Sequence, residues 1–145
     1  MREGSTAKLY SPELLALSAT LADFPLSDNF DVYAEAHSRT CGSKIKIGLS
    51  VTASQTFRVG MQVSACAVGQ SSAAILAQGV GAASMDELAI AQQEIEAWLA
   101  GAGSLPDWPG FDALAPALPY PGRHEAILLP WRAVTEALSS PLATG

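Results

Sequence analysis

Cysteine is scarce in this chain: Cys41 and Cys66 are the only two among 145 residues. So few thiols exclude a disulfide-stapled scaffold, and a chain of this length buries a real core without staples. Charge is scarce too. Only 15% of residues are charged against 49% apolar, a balance that excludes a disordered chain. Long apolar runs are missing as well. The most apolar region, 65–83, is filled with Gly, Ser and Ala and interrupted by Gln70 and Gln78, so nothing approaches the roughly 20 residues of a membrane span. The opening MREGSTAKLYSPELL has no continuous apolar run and is not expected to be a secretory signal. The expectation is one soluble, cytoplasmic domain over residues 1–145. In that compartment two cysteines are reduced thiols, metal ligands or redox groups rather than a structural disulfide.

Acidic residues are absent between Ala36 and Met85, although the net charge is −6. Arg39, Lys44, Lys46 and Arg58 fall in that window, and so do both cysteines. Four spaced cations on an acidic protein do not make a nucleic-acid binder. A locally positive field does favour thiolate over thiol.

What is present reads as helices around a hairpin. Ser11-Pro12-Glu13 is a helix start, with Leu14, Leu17 and Leu21 following at near-helical spacing and an end near Asp23-Phe24-Pro25. Residues 30–36 alternate weakly, as a strand. Ile45, Ile47, Leu49 and Val51 alternate with Lys44, Lys46, Gly48 and Ser50; after a polar turn, Phe57, Val59, Met61 and Val63 alternate with Arg58, Gly60, Gln62 and Ser64. Two period-two runs joined by a short turn predict an antiparallel hairpin with one buried face. A small-residue helix should follow Cys66, and Ser84-Met-Asp-Glu87 has capping-box spacing ahead of Leu88, Ala91, Ile95, Trp98 and Leu99. Proline-rich 105–122 reads as loop with a short turn at 111–114, and 126–138 as helix broken or restarted at Pro130. The fold class is α+β: a three-stranded antiparallel sheet with helices packed on one face.

That map places Cys41 just before the first strong strand and Cys66 just after the second. Hairpin partners bring the start of one beside the end of the other, so both thiols are expected at one sheet edge. Cys66 also gains from the positive end of a helix dipole. Two readings stay open at this point: a metal- or sulfur-handling pair, or two small buried apolar side chains. Other signals carry less. Gly79-Val-Gly81 lacks the third glycine of a dinucleotide loop, Ser71-Ser72 has no nearby base, and Trp98, Trp108 and Trp131 read as core or loop-pinning residues.

The cysteine segments resemble a known family. Thr40-Cys-Gly-Ser-Lys-Ile-Lys-Ile47 is similar to the first cysteine motif of the U-type iron–sulfur cluster scaffolds (IscU, SufU and the N-terminal domain of NifU), and Phe57 to Ala73 resembles the second. Ser84-Met-Asp-Glu-Leu88 fits the family's next helix start. Arg123-His-Glu-Ala-Ile-Leu-Leu-Pro-Trp131 resembles the third-cysteine segment of the SufU branch. The resemblance runs from about Tyr10 to Leu138. It implies a SufE/NifU-like fold and a non-enzymatic scaffold that takes up iron and sulfur, or zinc, at Cys41 and Cys66. A transient iron–sulfur cluster or zinc would be its cargo, with a cysteine desulfurase and acceptor apo-proteins as partners.

The departures from that family are specific. The family's Asp two residues after the first cysteine is Ser43, its third cysteine is Ala126, and the neighbouring histidine of the IscU branch is Glu125, with His124 before it. The N-terminal His/Tyr and Pro-Arg-Asn signature is replaced by LSATLADFPL at 17–26. Clusters are held by four cysteine thiolates and structural zinc by four Cys or His ligands. Two thiolates therefore need help from Glu125, His124, His37, Ser43, water or a second subunit in a homodimer. Glu125 and His124 are the better candidates, because the resemblance sets their segment beside the cysteines. A diverged relative that keeps the fold as an adaptor or sulfur acceptor of a desulfurase is the alternative, and a thiol-redox activity of the Cys41/Cys66 pair is a third.

Overall fold

The computed structural model describes residues 10–39, 42–52 and 56–139. Helix α1 (Pro12–Ala19) starts at Ser11, whose Oγ accepts the Leu14 N–H at 3.1 Å, and runs on into a 3-10 turn at Thr20–Asp23. Strands β1 (Val32–His37), β2 (Lys44–Val51) and β3 (Phe57–Ser64) form an antiparallel sheet in the order β1-β2-β3. Helices α2 (Ala67–Val80), α3 (Met85–Leu99) and α4 (His124–Leu138) follow.

Alternation sorts the sheet into two faces. Register aligns Val32, Leu49 and Val59, then Ala34, Ile47 and Met61, and this inner face is buried under α2 and α4. The expected α+β sheet with helices on one face is what is seen. On the outer face Glu35, Lys46 and Gln62 form one row, and His37, Lys44 and Ser64 the next. At the far end the outer row is Tyr33, Gly48 and Gly60. A Cβ on Gly48 or Gly60 would stand 2.6 Å from the Phe30 ring, so Phe30 lies flat on the sheet only because both residues lack side chains. Arg58, the cation farthest from the cysteines in the hairpin, stacks 4.2 Å above that ring.

The core beneath α2 is held by polar posts. Ser72 Oγ donates to the Ile127 carbonyl at 2.7 Å and accepts the Trp131 indole N–H at 3.0 Å; Ser71 Oγ donates to the Leu14 carbonyl. Both serines are fully buried, and full pairing is what makes that tolerable. Trp108 packs edge-on to Trp131, and its indole N–H donates to the Ile75 carbonyl, pinning the proline-rich loop.

Two local readings change. The turn at 111–114 extends as a 3-10 segment over Phe111–Ala117, passing through Pro116. Helix α4 does not break at Pro130. It continues to Leu138, because Trp131, Val134 and Leu138 bury one continuous face that outweighs the lost hydrogen bond.

Candidate functional site

The site lies where the hairpin hands over to helix. Lys44 pairs with Ser64, so the chain just before β2 and the chain just after β3 leave the sheet side by side. Gly42, Ser43, Ser64, Ala65, Cys66 and Arg123 line one open cavity of about 300 Å³ there. Gly42 takes φ +71°, a left-handed conformation that glycine adopts without strain. Ser43, the residue in place of the family's aspartate, is buried, and its carbonyl accepts the Ser38 N–H at 2.8 Å, closing the β1–β2 loop. Cys41 lies outside the described residues.

Cys66 is the N-cap residue of α2, half-buried and free, with φ −67°, ψ 171°. Its side chain makes no capping hydrogen bond. The thiol thus stands at the positive end of a 14-residue helix without being spent on that helix. Gln70 folds back to donate to the Ala65 carbonyl at 3.0 Å, fixing the turn that presents Cys66.

The start of α4 supplies the third wall. Arg123 lines the Cys66 cavity and donates to the Tyr10 hydroxyl at 3.0 Å. Glu125 accepts the Ser38 hydroxyl at 2.6 Å, which ties the first turn of α4 to the β1–β2 loop. His124 brings Nε2 to 2.8 Å from the Leu118 carbonyl, so one of its ring nitrogens is already engaged. Ala126 is buried against the first turn of α2: a Cβ on Gly69 would lie 3.3 Å from the Ala126 Cβ. His37 is exposed on the outer sheet face beside Lys44 and is not among the residues that line this cavity.

Among the described residues, no three His, Cys, Asp or Glu side chains are grouped to hold a metal ion. Nor is any helix there long and apolar enough to cross a membrane. Two residues of this region, one lining the cavity and one tied to Glu125, were not candidates from the sequence. Arg123 carried only its place in the Arg-His-Glu block, and Ser38 gave no signal, since its partner is 87 residues away.

No family model matches this sequence, and no curated protein matches it by sequence. Solved structures do. A NifU-like protein (N-terminal) from Brucella abortus superposes with TM-score 0.85 at 24% identity, covering 97% of both chains. The chain has the U-type scaffold fold. An iron–sulfur cluster assembly scaffold protein for the SUF system from the thermophile Fervidobacterium islandicum gives TM-score 0.80 at 19% identity, covering 90% of this chain and 97% of that one. The scaffold fold agrees with the expectation drawn from the cysteine segments, and the low identity fits a diverged sequence.

Proposed function

We propose that this chain is a diverged, non-enzymatic scaffold-type protein of iron–sulfur metabolism that takes up iron and sulfur, or zinc, at Cys66 together with Cys41 and passes it on. The observation that carries the reading is Cys66 at the uncapped start of α2, in an open cavity shared with Gly42 and Ser43, the two residues that follow Cys41. Thiolates bind soft metals and accept sulfur. Glu125 is the favoured third ligand, since it reaches the loop that carries Cys41 through the Ser38 hydroxyl, while His124 holds Nε2 against a backbone carbonyl. Sulfur would arrive from a cysteine desulfurase and leave to acceptor apo-proteins.

A second reading has its own observation. Ala126 fills the third-cysteine place with a buried methyl group, and Ser43 fills the aspartate place with a buried hydroxyl. A protein so altered keeps the fold and serves as an adaptor or sulfur acceptor of the desulfurase. Anaerobic reconstitution with iron and sulfide separates the two. Visible absorbance that is lost in both Cys41→Ser and Cys66→Ser supports the scaffold. A colourless, metal-free product that still binds a desulfurase supports the adaptor.

A further inference from the structure

Among the described residues no helix covers the outer face of the sheet, and three cavities run along it in series. The largest, about 750 Å³, is walled by Pro25, Leu26 and Tyr33 and ends at Lys46 and Gln62. Lys46 and Gln62 also line the next, about 310 Å³, which continues past His37 and Lys44 to Ser64. Ser64 in turn lines the Cys66 cavity. The three share walls, so they form one trough along β3 that ends at the thiol. From the Gly60 row to Cys66 it spans roughly 20 Å at about 3.3 Å per residue, the reach of a short extended peptide.

Charge along the trough is graded. Lys44 and Lys46 project from neighbouring rows of β2, and exposed Arg39 and cavity-lining Arg123 stand at the thiol end. Half of the chain's eight Lys and Arg residues therefore gather here, on a protein of net charge −6. Three acids mark the exceptions: Glu35 lies across from Lys46, Asp28 sits in the far cavity beside Leu26, and Glu125 stands at the thiol end on the Ser38 hydroxyl. Carboxylates are thus favoured toward the thiol end and an apolar side chain at the far end. The opposite side of the molecule excludes such a ligand. Helix α3 carries Asp86, Glu87, Glu94 and Glu96, and no Lys or Arg occurs between residues 59 and 122.

We infer that this trough is the docking track for an extended acidic segment of a partner protein, lying along β3 with its carboxylates over Lys44 and Lys46 and an apolar residue between Leu26 and Tyr33. The inference deepens the proposed function by naming how a donor or acceptor reaches Cys66; the track's binding chemistry stands on the lysines and the cavities. Its contribution is to orient approach and raise the encounter rate.

The test is amide NMR of the full-length, isotope-labelled protein titrated with a short synthetic peptide of Glu and Asp ending in Leu. Shifts are expected at Tyr33, Lys46, Gln62 and Ser64. They should weaken about tenfold in Lys44→Glu/Lys46→Glu and with added salt, and persist in Cys66→Ser. Persistence in that last variant keeps this result separate from failure of the metal or sulfur reading. Both lysines are exposed on strand positions, so the double variant should fold, which circular dichroism checks. An acidic peptide that leaves these amides unmoved, or shifts α3 instead, overturns the track. So does a basic peptide of equal length that binds the same residues as well.

Discussion

Two helices of this protein begin on the same backbone and with opposite chemistry. Ser84 starts α3 in extended geometry, φ −90°, ψ 168°, and accepts the Glu87 N–H while Glu87 accepts the Ser84 N–H. Cys66 starts α2 at φ −67°, ψ 171° and gives its side chain to neither. A cap contributes about 1 kcal/mol, and cysteine forgoes it. One start is built to hold a helix. The other leaves its sulfur uncommitted to the helix, at the wall of an open cavity. Position 66 thus forgoes the cap that a serine there would supply.

The largest effect expected from altering that contrast is a third thiol at the exposed start. Ala126→Cys, combined with Ser43→Asp, adds two further donors near Cys66, residue 126 being packed against the first turn of α2 and residue 43 lining the Cys66 cavity. Zinc affinity, read by competition with a chromophoric chelator, should rise roughly tenfold or more. An unchanged affinity would mean that the first turn of α4 does not converge on Cys66. The next effect lies at the other helix. Ser84→Ala removes the hydroxyl half of the capping box, the bond from the Glu87 N–H to Ser84 Oγ, and should lower unfolding free energy by about 1 kcal/mol in urea titration, with metal uptake unaltered. The smallest effect has the least familiar sign. Cys66→Ser supplies the missing cap, so the metal-free variant should be more stable than the parent by about 0.5–1 kcal/mol even though it no longer holds cargo. A lower melting temperature in that variant would show that the thiol contributes packing that a hydroxyl cannot replace.

The sequence conveyed what depends on neighbours in the chain. Alternation at 45–51 and 57–63 specified the hairpin and its buried face, and Ser84 to Glu87 specified a cap that the structure contains. What it did not convey depends on distant partners. The continuity of α4 through Pro130 is a packing outcome, decided by Trp131 and Val134 rather than by the proline's own preference. Ser38 became part of the site through Glu125, and Ser71 and Ser72 turned out to be buried posts holding α1, α2 and α4 together. The positive window around the cysteines also divides in space: Lys44 and Lys46 flank the thiol end, whereas Arg58 is spent on Phe30. Position 41 lies outside the described residues, so the meeting of the two thiols stays with the proposal.

The ring of Phe30 ties positions 30 and 48 into one heritable unit. While an aromatic lies there, selection must keep residues 48 and 60 bare, since any side chain at either would collide with it. Were a descendant to lose the ring, residue 48 would be released while residue 60 stayed bare, since a Cβ there would still stand 2.5 Å from the Pro25 carbonyl oxygen. Drift in this lineage should therefore strike positions 30 and 48 jointly and leave glycine at 60, which the neighbouring Pro25 backbone holds on its own.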